Sequence, residues 1–278
     1  MYLAQIKKNK IQKILLIFII IMVLILFLFP ILWSFLTSLK TDISAYSMPP
    51  KLFFKPSLEN YIDVIIDRGL LKFILNSIIV AVSSTIISLF LGIPLSYMLA
   101  RTKYKFNNIL FIFIFIAYIL PPIVLSIPLY VLGAKFGLLD RYVLIIITHI
   151  SFCISFSVWM LRGFFEEVPR EIEESAKVDG CNHFTALIRI VLPIVRPGLV
   201  ATVIFSIILS WNDFMYALVL TGVRTRTLPT AVAQFLTPHG MFWGEMTAAG
   251  IIAIFPILIF SLFFQRYIIR GMTAGAIK

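Results

Sequence analysis

The stretch Glu166–Pro197, EEVPREIEESAKVDGCNHFTALIRIVLPIVRP, is a polar island between two long apolar segments. Pro169 stands where the first turn of a helix tolerates a missing N–H, and several glutamates lie near the positive end of that helix. We expect this helix to run to about Asp179. Gly180 is the residue type that favours a left-handed position after a helix, and Asn182 is a good N-cap for a second helix. The pattern predicts a helix–turn–helix, called the elbow below.

The second helix of the elbow is predicted to be amphipathic. Phe184, Leu187, Ile188 and Val191 have the spacing i, i+3, i+4 and i+7, which places them on one apolar stripe. Pro193 is expected to end this helix, because proline has no backbone N–H to donate to the helix. The elbow is therefore predicted to have one apolar face and one charged face, held against a membrane.

The composition of the whole chain indicates a polytopic membrane protein. Of its 278 residues, 60% are hydrophobic and only 13% are charged, which is more apolar surface than a soluble globule can bury. The net charge of +11 does not indicate a nucleic-acid groove, because the basic residues lie singly or in small groups at the ends of apolar spans. They are read as topology signals and contacts with lipid headgroups.

The fold class predicted is an all-α membrane protein with six transmembrane helices. Lys and Arg are concentrated in the N-tail, the 101–105 loop, the elbow and the C-tail, which favours a cytoplasmic location for these segments and for both termini. Pro121 and Pro122 break the third span, either as a packing kink or as a moving gate. The spans are predicted at about 14–36, 73–100, 109–132, 142–161, 199–220 and 246–264, which gives an N-tail 1–13, a six-helix transmembrane domain 14–265 that includes the cytoplasmic loop 163–197, and a C-tail 266–278.

The elbow resembles a signature of ABC-importer permease subunits. That family has the pattern E-A-A, two spacers, D-G-A, eight spacers, I-x-L-P. The matching residues here include Ser175 and Cys181 in place of small alanines, a change of little volume. The matching positions are Glu174, Ser175, Ala176, Asp179, Gly180, Cys181, Ile190, Leu192 and Pro193.

The resemblance implies a set of partners and a location. In such proteins the elbow docks in a groove on a cytoplasmic ATPase, so Glu174, Ser175, Ala176, Asp179, Gly180, Cys181, Leu192 and Pro193 become candidate ATPase-coupling residues. It further implies a heterodimer with a second permease chain, two copies of the ATPase, an external solute-binding protein, and a prokaryotic inner or plasma membrane. Transport would proceed by alternating access, with no catalytic, metal or cofactor site in this chain.

The C-terminal half narrows the resemblance to the carbohydrate, maltose-type branch. The tail Arg270–Lys278, RGMTAGAIK, looks like the Gly-rich ending of that branch, and the loop Val223–Glu245 resembles the loop that reaches into a binding protein. A sugar or oligosaccharide is the substrate that this similarity implies. Glycerol 3-phosphate or another polar solute remains an alternative, because the substrate contacts can lie mainly on the partner chain.

A second candidate site lies inside the fifth span. Asp213 is costly in a transmembrane helix, so it is expected to face a polar cavity, a partner helix or the outer interface. In the family this region often reads Trp-Asn-acid-Phe, so one interpretation is that it lines the substrate path. The alternative is that Asp213 lies at the outer boundary and Trp211 in an aromatic belt. The candidate path residues are Trp211, Asn212, Asp213 and Phe214.

The sequence contains no motif for ATP hydrolysis, metal binding or ion-coupled transport. There is no Gly-x-x-x-x-Gly-Lys phosphate loop, so ATP hydrolysis is assigned to a separate subunit. His149, His183 and His239 are in different segments without metal-ligand spacing, and His149 is interpreted as a hydrogen-bonded packing residue. A secondary transporter would need paired ionisable groups inside the membrane, and Asp213 is nearly alone in the sequence pattern.

Overall fold

The computed structural model describes residues 10–102, 106–237 and 240–273. The beginning of the N-tail, the basic residues Lys103 and Lys105, His239 and the end of the C-tail lie outside it. The described chain is almost entirely helical, with one pair of two-residue antiparallel strands, β1 and β2. In chain order the elements are α1 (Lys10–Ser38), α2 (Asp42–Ala45), α3 (Glu59–Ile62), α4 (Leu70–Arg101), α5 (Phe106–Ile119), α6 (Pro122–Lys135), α7 (Tyr142–Glu167), α8 (Arg170–Val178), α9 (His183–Ala186), α10 (Leu192–Ile194), α11 (Arg196–Trp211), α12 (Met215–Leu220), α13 (Leu228–Val232), β1 (Leu236–Thr237), β2 (Gly240–Met241) and α14 (Trp243–Thr273).

Membrane-length helices dominate the described residues. Helices α1, α4, α7 and α14 are each long and apolar enough to cross a bilayer, and the number rises to six if each of two bent helix pairs is one span. The first bent pair is α5 and α6, which meet at 90° at Leu120–Pro121. The prediction of an all-α membrane protein is confirmed. The prolines here break the helix outright, because Pro121 cannot supply the N–H that continues it.

The second bent pair lies at the end of the elbow. The helical run from His183 ends at Ile194, one residue beyond the predicted stop at Pro193, and it meets α11 at 83°. This run includes a wide π-helical turn, Leu187–Val191. The fifth span was predicted as one helix over about 199–220, but it is interrupted between α11 and α12 at Asn212–Phe214.

The chain forms two compact units. The first contains residues 1–69 and 234–252, and in it α1 presents its apolar side chains on the surface. The loop after α1 is tied down by Asn60, whose side-chain amide donates to the carbonyl oxygens of Ser38 at 2.8 Å and Lys40 at 2.7 Å. In the same unit Arg68 donates two hydrogen bonds to Glu245, and this contact raises the pKa of Arg68.

The second unit contains residues 70–233 and 253–278 and is organised around the packing of α4 against α7. One apolar cluster lies at the elbow end of this pair, and it includes Leu161, Phe165, Leu187 and Val191. A second cluster contains Val80, Leu144, Ile145, Tyr216, Ala217 and Leu220.

Small polar side chains lie at further contacts of α4, α7 and α11. The hydroxyl groups of Ser84 and Ser210 are 3.3 Å apart, and those of Ser157 and Ser206 are 3.2 Å apart. Small hydroxylated residues let helices approach closely in lipid, where packing and hydrogen bonds drive their association.

Candidate functional site

The turn of the elbow has the geometry that its sequence predicted. Gly180 has φ +88°, the left-handed conformation that ends a helix, and Cys181 N–H donates to Ala176 C=O at 3.0 Å. This bond spans six residues and is typical of the Schellman motif. The side chain of Asn182 accepts from Thr185 N–H at 2.8 Å and so caps α9. The local sequence therefore determines both ends of the turn.

The elbow exposes apolar side chains at this turn. Val178 is 87% exposed and Phe184 is 67% exposed. The predicted stripe of the second helix is divided: Leu187 and Val191 are buried in the apolar cluster, whereas Phe184 and Ile188 face outward. The predicted apolar stripe is therefore only partly covered within this chain, by the cluster that holds Leu187 and Val191.

The predicted coupling residues divide in a similar way. Ala176 is buried, Cys181 and Leu192 are partly buried, and Glu174, Ser175, Asp179, Gly180 and Pro193 are exposed. The hydroxyl of Ser175 donates to the backbone carbonyl of Glu171 at 2.8 Å and so stays on its own helix. The exposed members and the apolar tip, Val178 and Phe184, form a surface available to a partner.

Glu173 is a residue whose position the sequence did not reveal. Sequence reasoning treated it as one of several glutamates at a helix N-terminus, but it is 4% exposed. Its carboxylate accepts a hydrogen bond from Tyr97 Oη at 2.7 Å and forms a salt bridge with Arg101. Among the α8 residues whose side chains are described, Glu173 and Ala176 are the buried ones, and their i, i+3 spacing is a sequence signal of the inward orientation of Glu173.

The candidate path residues meet at the interruption between α11 and α12. Asn212 and Asp213 line a cavity of about 310 Å³, whereas Trp211 and Phe214 do not. Trp211 is buried, and its indole N–H donates to Ala253 C=O at 3.2 Å, so it does not belong to an aromatic belt. The cavity is also lined by Ala117, Tyr118, Leu120, Pro122, Phe152, Ile208, Leu209 and Tyr216.

A polar network holds Asp213 at the cavity wall. Its side chain accepts a hydrogen bond from Ala217 N–H in the first turn of α12 at 3.0 Å and lies 3.2 Å from His149 Nε2. The other ring nitrogen of His149 lies 2.6 Å from Ser210 Oγ. His149 is fully buried, which agrees with its interpretation as a hydrogen-bonded packing residue. Asp213 was expected to be nearly the only ionisable group in its part of the membrane. This expectation is corrected, because the fold brings His149 next to it.

The cavity suits a neutral polar ligand. The rings of Phe152 and Tyr216 stack with centroids 5.8 Å apart, and Asn212 and Asp213 supply amide and carboxyl groups. The residues that line the cavity in the described part of the chain include neither Lys nor Arg. Such a mixture of apolar walls and a few polar groups is typical of sites for small organic ligands.

The loop that follows α12 is held by one carboxylate. Asp140 accepts hydrogen bonds from the backbone N–H groups of Gly222, Arg224 and Thr225 and from the Thr225 hydroxyl, at 2.9 to 3.2 Å. Burial raises the pKa of Asp140, but these hydrogen bonds outweigh burial and lower it from 3.8 to about 2. Gly222 allows this approach, since a Cβ there would lie 2.8 Å from the carboxylate.

Membrane-length helices, a mainly apolar cavity with a few polar groups at a helix break and an exposed elbow are features expected of a membrane transport permease. Residues 92–274 match the family of inner membrane components of binding-protein-dependent transport systems. The chain belongs to this family, whose members are permeases of ABC importers, and it is a multi-pass protein of the prokaryotic inner membrane that works with a binding protein.

Individual relatives support this assignment. A probable ABC transporter permease of Sinorhizobium fredii is 34% identical over 90% of both chains. A trehalose/maltose transport system permease of Thermococcus litoralis is 32% identical over 98% of this chain and 99% of its own length. A bacterial ABC transporter that imports the acidic polysaccharide alginate has a chain with a TM-score of 0.77, at 20% identity and with 94% and 98% coverage, which shows the shared fold. The predicted membership of the carbohydrate branch is confirmed.

Proposed function

We propose that this chain is one permease subunit of an importer that moves a sugar or oligosaccharide, delivered by an external binding protein, into the cytoplasm. The observation that carries the substrate class is the cavity at the interruption of the fifth span. The exposed ring of Tyr118 and the partly buried ring of Phe152 in its wall suit the apolar faces of a sugar, and the side chains of Asn212 and Asp213 suit its hydroxyl groups. The sugar specificity of the relative from Thermococcus litoralis supports the same class.

Glycerol 3-phosphate is less well served by this cavity. A phosphate group is held in proteins by Arg, Lys or several backbone N–H groups. The lining of the cavity carries a carboxyl group and lacks Lys and Arg within the described residues. The geometry therefore favours an uncharged sugar.

We assign ATP hydrolysis to separate subunits that dock on the elbow. The support is the exposed apolar pair Val178 and Phe184, which flanks a turn of fixed geometry at Gly180. An exposed apolar pair beside a rigid turn can serve as an anchor in a protein interface. In this arrangement two ATPase copies serve a heterodimer of this chain with a second permease, and the elbow and both termini are cytoplasmic.

The mechanism that fits this arrangement is alternating access. When ATP brings the two ATPase subunits together, each elbow is displaced with its ATPase, and the helices behind it rotate between inward-facing and outward-facing states. The cavity at Asn212–Phe214 would then open to alternate sides. The interruption of the fifth span provides backbone that can line such a cavity.

The test is purification of the tagged chain from its native cells in mild detergent, with every co-purifying protein identified by mass. The expected result is an ATPase and a second permease chain, followed by ATP-dependent uptake of a radiolabelled disaccharide in proteoliposomes when the binding protein is added. A chain that purifies alone and still takes up the solute when only an ion gradient drives transport would instead support a secondary transporter that uses the His149–Asp213 pair. Competition by glycerol 3-phosphate but not by sugars would overturn the substrate class.

A further inference from the structure

The attachment of α8 to the rest of the second unit depends on very few side chains. Among the α8 residues whose side chains are described, only Glu173 and Ala176 are buried. By contrast, the following helical run is held by Leu187 and Val191 in the apolar cluster. The first helix of the elbow therefore has little apolar surface to hold it in place.

Glu173 supplies the missing attachment through two residues at the end of α4. Tyr97 Oη donates to one carboxylate oxygen at 2.7 Å, and the Arg101 guanidinium bonds the other. Arg101 also donates to Val168 C=O at 3.0 Å, at the start of the elbow. The side chains of Arg101 and Glu173 are 12% and 6% exposed. We call Glu173, Tyr97 and Arg101 the Glu173 clamp.

The clamp differs physically from an apolar contact. Hydrogen bonds that involve charged groups are directional and strong, and a buried charge that loses its partner is costly. Apolar packing is non-directional, so it opposes separation more than sliding. The clamp is therefore the contact that resists displacement of α8 along or across the end of α4.

The helix on the other side of the clamp leads to the cavity. Helix α4 runs without a break from Arg101 back to Leu70, and its Ser84 hydroxyl lies 3.3 Å from that of Ser210. Ser210 contacts His149, which contacts Asp213 at the cavity wall. One continuous helix, which contains Pro94 between the clamp and Ser84, and a chain of hydrogen bonds thus connect the elbow to the cavity. Such a contiguous network can carry coupling between sites.

We propose that the Glu173 clamp transmits displacement of the elbow to α4, and that Glu173 is a positioning residue for coupling rather than a contact of the ATPase. This proposal rests on the proposed function. It predicts that a complex without the clamp still binds its ATPase and hydrolyses ATP but moves less solute per ATP, because α8 shifts without moving α4.

The experiment compares Glu173→Gln with the wild-type complex purified from native cells. Three quantities are measured: ATPase retained per permease, ATP hydrolysed, and disaccharide imported in proteoliposomes with the binding protein. We expect normal retention and a ratio of import to hydrolysis reduced about fivefold or more, the lower end of typical coupling between sites. The matched control is Glu166→Gln, whose carboxylate is 48% exposed and pairs with Arg162 inside α7, so it connects no two elements.

Two further variants keep the proposal falsifiable if Glu173→Gln does not fold. Tyr97→Phe removes one hydrogen bond but keeps the ring against Phe165, and it should lower the ratio by a smaller factor. The double variant Arg101→Gln with Glu173→Gln should lower the ratio of import to hydrolysis no further than the single variants do, because the two residues act as one unit. An unchanged ratio of import to hydrolysis in an assembled Glu173→Gln or Tyr97→Phe complex would overturn only the proposed role of the clamp. A wild-type chain that purifies without an ATPase would overturn the proposed function.

Discussion

Gly180 offers the sharpest test of the elbow, because its role can be separated from that of its neighbours. Its φ of +88° is a conformation that residues with a Cβ rarely adopt, yet apart from its chain neighbours no heavy atom of the described residues lies within 4 Å of where a Cβ would be. A substitution here therefore acts through backbone strain and not through a clash within the chain. For a β-branched residue such as valine the strain is about 1–3 kcal/mol.

The expected consequence is a loss of ATPase affinity with normal membrane insertion. If the ATPase binds only the turn in its left-handed form, a strain of about 2 kcal/mol weakens the complex about 30-fold. Asparagine tolerates the left-handed region better than alanine does, and alanine better than valine. The order of affinities should be Gly180, then Gly180→Asn, then Gly180→Ala, then Gly180→Val.

The assay is titration of the purified permease variants with the ATPase, with ATP-driven uptake measured in parallel. Equal affinities across the series would refute the requirement for a left-handed turn. A loss as large for Gly180→Asn as for Gly180→Val would show that the partner's surface excludes any side chain, so that steric fit and not backbone strain decides binding.

Three further changes test the loop, the network and the cavity. Asp140→Asn should lower the free energy of unfolding by about 1–3 kcal/mol at neutral pH in detergent melts. Because the pKa of Asp140 is lower in the folded chain, the stability that its carboxylate contributes is present above pH 3.8 and is lost as the pH falls towards about 2. The variant should lack this loss of stability in acid. An unchanged acid dependence would contradict the role of Asp140 in holding the loop. His149→Leu removes the buried hydrogen bonds of His149 to Ser210 and Asp213, which then keep Ser84 Oγ and backbone N–H groups as partners, so it should destabilise the chain by about 1–3 kcal/mol, and an unchanged melting temperature would argue against the network. Asp213→Asn keeps a hydrogen-bonding side chain, so it should leave assembly intact while raising the KM for sugar about tenfold; loss of assembly with a normal KM would indicate a purely structural role.

Much of the elbow could be predicted because its signals are local. Gly180 and Asn182 determine the turn and the cap through their own backbone and side-chain preferences, and both predictions are confirmed. The end of the second helix near Pro193 was also predicted to within one residue, whereas the π-helical turn Leu187–Val191 had no signal in the sequence.

The candidate path residues were likewise predicted only in part from the sequence. Asn212 and Asp213 were singled out because polar residues are costly inside a span, and both line the cavity. Trp211 was selected with them, but its side chain packs towards Ala253, since the break after Trp211 changes the direction of the residues that follow. The coupling and path roles themselves stay predictions until the experiments above are done.

The sequence by itself determined the membrane class, the turn at Gly180 and the family, because hydropathy, glycine conformation and motif spacing are properties of short segments. Only the tertiary structure decided which polar groups meet. Glu173 with Arg101, His149 with Asp213, and Asp140 with the loop at Gly222–Thr225 are pairs separated by many residues. Their contacts arise from the packing of α4 and α7 and from the loops at their ends, and a linear pattern of residue types does not encode that packing directly.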